Sequence, residues 1–262
     1  MNLDLNGRSA LVTGSYRGTG LIIARHLARE GARVFVHGLE SGQAEDAVAE
    51  LAIGEPVTGD LTTDAGAETV SSAVDEALEG NPVDILVNNY GTAGAGSWEA
   101  SGTDDWLDAY QKNVLSAQRL IRAFLPRMRD HGWGRIINLG TVGSTRPNSR
   151  MPHYYASKGA LATMTISLAK EVAGTGVRVN LVSPGLILTP EVEAAYLERG
   201  QRKGWGTTWE EIEPRVAQDI PIGRIVRREE VADLVTFLAS PLADGIHGQN
   251  IRVDGGALDI LS

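Results

Sequence analysis

Short runs of β-branched and apolar residues alternate along the chain with longer stretches in which apolar residues recur at helical spacing. In the first half, this pattern predicts strands at 9–13, 33–37, 56–58 and 83–88, and helices at 18–30, 41–53 and 65–78. In the second half, it predicts helices at 103–128, 154–173 and 229–239, and strands at 135–139, 177–182 and 250–253. Such alternation predicts successive βαβ units around a parallel sheet.

The stretch 186–222 interrupts this alternation. It is long for a connection and contains Pro190, Pro214 and Pro221, with Trp205 and Trp209. We interpret it as a partly helical lid over a substrate site. No Pro-, Gly- or Ser-rich linker divides the 262 residues, so a single domain over 1–262 is predicted.

A glycine-rich loop, Thr13–Gly20, falls between the first predicted strand and the first predicted helix. Glycines at that point let the backbone turn sharply and approach a pyrophosphate, which then binds amides at the helix N-terminus. A plain turn is the alternative interpretation. The position after the first strand of a βαβ series favours the phosphate site.

Tyr154 and Lys158 are separated by one helical turn, so their side chains share one helix face. A cation close to a phenol lowers the phenol pKa and suits tyrosine for proton transfer near neutral pH. The same spacing occurs by chance in many surface helices, where the tyrosine packs and the lysine is solvated.

The loop spacing Thr-Gly-x-x-x-Gly-x-Gly resembles the short-chain dehydrogenase/reductase family. Further family landmarks follow in order: Asn88-Asn89-Tyr90-Gly91, Asn113, Tyr154 with Lys158, Pro184-Gly185 and Val253-Asp254-Gly255-Gly256. The resemblance covers essentially the whole chain. It implies an α/β fold with a Rossmann-like, doubly wound parallel sheet of about seven strands. It also implies hydride transfer between a nicotinamide and a secondary alcohol or ketone.

The resemblance assigns a catalytic set. Tyr154 is expected to act as general acid/base, with Lys158 lowering its pKa and holding the nicotinamide ribose. Thr141 lies thirteen residues before Tyr154, where the family has a serine, and is expected to bond the substrate oxygen. Asn113 is expected to hold a water in a proton relay to Lys158. Tyr155 fits the intervals less well and is expected to pack.

The resemblance also implies which residues bind the cofactor. At the end of the second strand, Gly38 replaces the acidic residue that would select NAD, and Arg17 could meet a 2′-phosphate. We therefore expect NADP(H) to be preferred over NAD(H), although Leu39 and Glu40 leave NAD open. The other expected contacts are Gly14, Ser15, Gly18, Thr19, Gly20, Asp60, Leu61, Asn89, Gly91, Tyr154, Lys158, Pro184, Gly185, Ile187 and Thr189.

Three of these positions carry particular expectations. Asp60 resembles an acid that accepts a bond from the adenine amino group, with capping of a turn as the alternative. Backbone at Ile187 and the hydroxyl of Thr189 match groups that hold the nicotinamide carboxamide. Tyr90 replaces the family's alanine and is large enough to shift or cover the adenosine.

The substrate pocket is expected between 92–98, 145–153 and the lid near Trp205. His153 lies beside Tyr154 and is a possible acid/base group. A lone loop histidine is more often a packing or surface residue.

Composition limits the other functions. The chain has no cysteine, which excludes a disulfide framework, a thiolate nucleophile and a cysteine-ligated metal, and predicts a cytoplasmic location. No metal site is expected. Residues 1–5 do not resemble a signal peptide, and no apolar run is long enough to span a membrane. A net charge of −9 disfavours nucleic acid and anionic membranes as partners.

Several alternatives remain open. A reductase of 3-ketones linked to acyl carrier protein would need a basic patch, for which Arg122, Arg127 and Arg129 are candidates. A second alternative is a cofactor-binding regulator without turnover, because Tyr90 and Thr141 depart from the family pattern. A nucleotide-sugar epimerase would normally need a longer chain. The family resemblance also implies a homotetramer, with the helices from Asp104 and Tyr154 and the segment 246–261 at interfaces.

Overall fold

Strands at the centre of the sheet are buried over their whole length, because helices cover both faces of the sheet. A computed structural model describes residues 3–260. Met1, Asn2 and Ser262 of the predicted domain, and Leu261 of the predicted interface segment, lie outside the described residues.

The first half of the chain contains β1 (Ser9–Val12), α1 (Gly18–Arg29), β2 (Arg33–Gly38), α2 (Gln43–Leu51), β3 (Glu55–Thr58), α3 (Asp64–Ala77) and β4 (Ile85–Asn88). It is followed by α4 (Thr103–Tyr110), a π-helical segment (Gln111–Leu115), α5 (Ser116–His131), β5 (Gly134–Leu139) and a short 3₁₀ helix (Val142–Ser144). The last part contains α6 (Pro152–Glu171), β6 (Val177–Pro184), β7 (Ile187–Leu188), α7 (Pro190–Lys203), α8 (Trp209–Val216), β8 (Val226–Arg227), α9 (Arg228–Ala239), a second 3₁₀ helix (Pro241–Ala243) and β9 (Asn250–Val253).

Seven parallel strands form one sheet in the order β3-β2-β1-β4-β5-β6-β9. Side chains of β1 alternate between two cores. Ala10 and Val12 belong to the core that contains α1 and α9 residues, whereas Leu11 belongs to the core beneath α3, α5 and α6. This period of two confirms the predicted doubly wound fold.

The predicted lid contains α7 and α8. The prediction did not include the two-stranded parallel pair β7–β8, which joins the start of this stretch to the chain just before α9. Ion pairs reinforce the junction: Arg227 contacts Glu213 of α8 at 2.8 Å, and Arg224 contacts Glu230 of α9 at 2.8 Å.

One predicted helix is interrupted. The continuous helix expected over 103–128 is divided by the π segment, in which the Ser116 N–H donates to the Gln111 carbonyl. A π segment inserts one extra residue into the helical ladder. Hydrophobic spacing does not show such an insertion, because the apolar faces on either side remain regular.

Helix α6 also begins earlier than expected. Pro152, two residues before the predicted start, is its first residue, because the fixed φ of proline suits the first helical position. Tyr154 therefore lies inside the first turn of α6.

Candidate active site

The strand order of the sheet reverses between β1 and β4, which opens a crevice at the carboxyl ends of these strands. The glycine loop follows β1, and Asn89 to Gly91 follow β4. The structure therefore brings two of the predicted motifs to one edge of the sheet.

The glycine loop fits the pyrophosphate of a dinucleotide. Gly14 and Gly18 have φ of +60° and +62°, a region that favours glycine. A Cβ on Gly20 would lie 2.6 Å from the Gly14 carbonyl oxygen and would collide with the Asn89 amide. Helix α1 has no side-chain cap and no acidic residue in its first turn, so its N-terminal amides suit an anion. Thr19 lies in this first turn.

Polar side chains inside the protein hold this loop in place. The Ser15 hydroxyl donates to the Val12 carbonyl at 2.6 Å and accepts from the His37 N–H at 2.9 Å. The Ser15 N–H donates to the His37 carbonyl. The Asn89 amide donates to the carbonyls of Thr13 and Gly14 at 2.9 and 3.2 Å. The hydrogen bonds of Ser15 and Asn89 within the protein thus stabilise the conformation of the loop.

His37 also holds the glycine loop in place, and this role was not predicted from the sequence. Its Nδ1 accepts from the Gly14 N–H at 2.9 Å, so Nε2 carries the proton and donates to the Gly59 carbonyl at 2.9 Å. The ring is fully buried, and burial lowers the pKa of His37 to about 4. The only sequence signal was a histidine within an otherwise apolar strand.

The end of β2 carries no acidic side chain and has no space for one. A Cβ on Gly38 would lie 2.9 Å from the Gln43 Cβ and 3.0 Å from the Ala44 nitrogen. Glu40 is exposed and accepts from the Gln43 side-chain amide at 3.4 Å. Arg17 is exposed and lies 3.8 Å from Glu191 at the start of α7.

Asp60 caps a turn. Its Oδ1 accepts from the backbone N–H of Thr62 at 2.9 Å and from the Thr62 hydroxyl at 2.7 Å, and the carboxylate remains exposed. The alternative raised for this residue is therefore present in the structure. Leu61, next in the chain, has a fully buried side chain in the core.

The loop after β6 brings the remaining predicted cofactor residues to the same edge. Pro184 ends β6, and the Gly185 N–H donates to the Val253 carbonyl at 2.9 Å. Ile187 pairs with Val226 in the small sheet. The Thr189 hydroxyl caps α7 by accepting from the Val192 N–H at 3.2 Å.

Tyr90 is half-buried beside the glycine loop. Its ring lies edge-on to His37 with centroids 6.4 Å apart, and burial raises the pKa of Tyr90 to about 12. A Cβ on Gly14 would lie 3.2 Å from the Tyr90 Cα. Tyr90 therefore packs against the base of the loop.

Tyr154 and Thr141 meet at the cleft beyond β5. Both side chains line the same cleft, and the Thr141 hydroxyl accepts from the Gly143 N–H at 3.2 Å. Burial raises the pKa of Tyr154 to about 12, because desolvation outweighs the opposing effect of the nearby Thr141 hydroxyl. This direction is opposite to the lowering expected from Lys158.

Lys158 is buried, and its Nζ donates to the Leu139 carbonyl at 2.7 Å. Burial lowers the pKa of Lys158 to about 8. A Cβ on Gly91 would lie 3.3 Å from the Lys158 Nζ and would collide with the Asn113 Oδ1. Gly91 therefore allows Lys158 and Asn113 to approach the same point.

The π segment presents Asn113 to this point. Asn113 is buried; its Oδ1 accepts from the Thr92 N–H at 3.0 Å, and its Nδ2 donates to the Thr92 carbonyl and the Ser157 hydroxyl, both at 3.1 Å. Asn88 also links β4 to β5 by donating to the Asn138 Oδ1 at 2.8 Å.

Next to these groups lies a cleft of about 290 Å³. It is lined by Thr141, Val142, Gly143, Arg146, Tyr154, Tyr155, Gly185, Leu186, Ala257 and Leu258. The Tyr155 ring packs on Gly143, and its hydroxyl accepts from Asn148 at 3.0 Å. His153 does not line the cleft but is buried beside Trp106, with ring centroids 6.2 Å apart.

Among residues 3–260, none of the helices is both long and apolar enough for a membrane span. Within the same range, no group of His, Asp or Glu side chains is arranged to hold a metal ion.

Comparisons with known proteins identify the class. Residues 14–257 match the model of a family described as enoyl-(acyl carrier protein) reductase. An uncharacterized oxidoreductase of Bacillus subtilis, YvaG, is 36% identical over 98% of both chains. The 3-oxoacyl-[acyl-carrier-protein] reductase FabG of Vibrio cholerae is 36% identical over 97% of this chain and 98% of its own.

A solved structure agrees with these relatives. L-Sorbose reductase from Gluconobacter frateurii, complexed with NADPH and L-sorbose, superposes with a TM-score of 0.92, with 32% identity and complete coverage of both chains. The chain belongs to the short-chain dehydrogenase/reductase family. It is an NAD(P)-dependent oxidoreductase that acts on CH–OH or keto groups.

Proposed function

We propose that the protein reduces the ketone of a small hydroxylated molecule to a secondary alcohol with NADPH, and catalyses the reverse reaction when the alcohol is supplied. The observation that carries this proposal is the cleft of about 290 Å³ that Tyr154 and Thr141 both line, with buried Lys158 one helical turn from Tyr154 on α6. The structural likeness to an L-sorbose reductase supports a hydroxylated ketone as substrate.

The bound nicotinamide would supply the hydride for the ketone carbon. Thr141 and Tyr154 bind the ketone oxygen by hydrogen bonds, and Tyr154 gives that oxygen the proton that completes the alcohol. Lys158 holds the ribose and, when charged, stabilises the phenolate left on Tyr154. Asn113 positions the proton path that returns a proton to Tyr154. Helices α7 and α8 form a lid over the substrate.

Turnover can be tested directly. Purified protein mixed with NADPH and a panel of ketoses and cyclic ketones should consume NADPH, measured as loss of absorbance, with at least one ketone. The alternative of a regulator without turnover makes the opposite prediction. Tight cofactor binding with no consumption for any ketone or alcohol would refute the proposed reduction.

We propose NADP(H) as the preferred cofactor. Gly38 leaves no room for an acidic selector, and Arg17 is an exposed cation at the mouth of the glycine loop. Its contact to Glu191 at 3.8 Å is long and exposed, so little free energy is lost when Arg17 turns to a 2′-phosphate. Arg17→Ala should raise KM for NADPH more than KM for NADH. Equal increases would contradict this preference.

A second candidate is reduction of a 3-ketone carried on acyl carrier protein, favoured by the FabG relative. The expected basic patch is partly neutralised, because Arg127 pairs with Asp75 at 2.7 Å and Arg129 lies 3.8 Å from Glu171. Including a 3-ketoacyl thioester in the ketone panel separates the two candidates. Higher kcat/KM for the thioester than for every free ketone would favour the second.

We also propose a homotetramer. A groove of about 610 Å³ lies between α5 and α6, with Ile121, Leu125, Met164 and Leu168 among its lining residues. Ile166 of α6 is 47% exposed, which suits burial against a second copy. Light scattering after gel filtration should give the tetramer mass. Replacement of Ile166 by Glu should shift the mass towards a smaller species, and an unchanged mass would argue against α6 as the interface.

A further inference from the structure

The catalytic cleft contains a single charged side chain. Among the ten described residues that line it, nine are apolar, glycine or hydroxyl-bearing, and the tenth is Arg146. The backbone N–H of Arg146 donates to the Val142 carbonyl at 3.1 Å, so Arg146 is fixed to the turn that follows Thr141. A cation thus lies in the same small cleft as the groups that bind the ketone oxygen.

The partner of Arg146 comes from a distant part of the chain. Its Nη1 donates to the Asp259 Oδ1 at 2.8 Å, and Asp259 directly follows the lining residues Ala257 and Leu258. The Arg146 and Asp259 side chains are 65% and 79% exposed. Exposed ion pairs of this kind contribute little to stability, so another carboxylate can replace Asp259 at little cost.

Resting on the proposed function, we propose that Arg146 binds the carboxylate of a hydroxylated keto acid. The ketone of that acid would lie at Thr141 and Tyr154, and Asp259 would be the exchangeable partner of Arg146. A guanidinium offers a planar pair of N–H donors that matches a carboxylate. One cation balances one negative charge, which fits a monocarboxylate better than a phosphate dianion. The hydroxyl of Tyr155, which also lines the cleft, is available to a substrate hydroxyl.

The carboxylate does not react. The ketone carbon gains a hydride from NADPH, and the ketone oxygen gains a proton from Tyr154. NADPH becomes NADP⁺, and the acid group leaves unchanged. Arg146 therefore acts on specificity, by orienting the acid so that its ketone reaches Tyr154.

Two sugars make a matched test. 5-Keto-D-gluconate differs from L-sorbose only in having a carboxylate where L-sorbose has a terminal CH₂OH. Initial rates with NADPH are measured for both, with wild-type protein and Arg146→Gln. The substitution should lower kcat/KM for the keto acid about 10- to 100-fold and change kcat/KM for L-sorbose by less than about threefold. Equal losses with both substrates would overturn the inference.

Three further variants test whether the charge of Arg146 causes the loss of keto acid activity. Asp259→Asn keeps the cation and removes its partner, so KM for the keto acid should fall. Arg146→Lys keeps the charge and should retain part of the keto acid activity. Arg150→Gln removes a charge from the same loop but not from the cleft lining, and should leave the ratio of the two kcat/KM values unchanged. If Asp259→Asn loses activity just as Arg146→Gln does, the pair is only a structural link and the inference fails.

A binding measurement separates this inference from the proposed function. Calorimetric titration of 5-keto-D-gluconate into protein saturated with NADP⁺ should detect binding that Arg146→Gln weakens about 10-fold or more. Absence of acid binding to wild-type protein would refute the inference, even if neutral ketones are reduced. Acid binding that depends on Arg146, with no reduction of any ketone, would refute the proposed reaction alone.

Discussion

The glycine loop and the catalytic cleft lie side by side at one edge of the sheet, but different groups hold them in shape. The glycine loop is fixed from inside the protein: His37 and Asn89 bond its backbone, and the Ser15 hydroxyl ties the loop to the Val12 carbonyl of β1. In the proposed catalytic cleft, by contrast, Tyr154 and Thr141 line the wall and are also the residues proposed to react with the substrate. Substitutions should therefore affect rate in the cleft, and stability or cofactor affinity at the loop.

The sharpest test of this comparison is Tyr154→Phe. Phenylalanine keeps the ring packed on α6 but removes the proton donor, so kcat should fall about 100- to 10 000-fold. Cofactor affinity, measured by fluorescence titration, should stay close to wild type because the glycine loop is untouched. A variant with wild-type kcat would show that Tyr154 is not the acid/base group.

At the loop, the largest effect should appear in the pH dependence of stability. His37 binds a proton with a pKa of about 4 when folded, compared with 6.5 for an ordinary histidine. Between these values the unfolded chain binds more protons, so the free energy of unfolding should decrease as pH falls through this window. The total contribution of His37 is roughly 3 kcal/mol.

The measurement compares wild-type protein with His37→Asn, whose Oδ1 can still accept from the Gly14 N–H but does not titrate. Urea unfolding at about pH 7 and about pH 4.5 should show a smaller loss of stability on acidification for the variant. The same loss in both proteins would mean that His37 is not the responsible group.

A smaller effect is expected from crowding the glycine loop. The added methyl group of Gly20→Ala would press on the Gly14 carbonyl and the Asn89 amide. Overpacking of this kind costs about 1–3 kcal/mol, so cofactor Kd should rise about tenfold or more. Gly159→Ala on α6 is the matched control, because its Cβ would meet nothing within 4 Å. If both variants bind cofactor equally well, the loop is more adaptable than its close contacts indicate.

The element order, the parallel sheet and the position of Thr141 and Tyr154 in one cleft could be predicted from the sequence. Hydrophobic periodicity and the fixed intervals between motifs are visible in the sequence even when no contact is known. The role of His37 could not be predicted, because the sequence does not distinguish a buried histidine that hydrogen-bonds a loop from one that only packs in the core. Nor could the pairing of Arg146 with Asp259, which are 113 residues apart.

The raised pKa of Tyr154 could not be predicted from the sequence either. Spacing predicted a nearby cation but not the depth of burial, and burial is the largest cause of the shift. Tyr90 illustrates the same difficulty. Its size was apparent, yet only the fold shows that it packs beside His37 at the base of the glycine loop.

The π segment between α4 and α5 widens one turn of a long helix. Its extra residue lets Asn113 face Thr92 and Ser157 while Leu120 and Phe124 of α5 still face the core. Because a π turn contains one residue more than an α turn, deleting one residue there would restore a regular α-helix and leave α4 and α5 in nearly the same relative orientation. The widened turn that places Asn113 against Thr92 and Ser157 would be lost, so the extra residue is needed for this one polar side chain and not for the core.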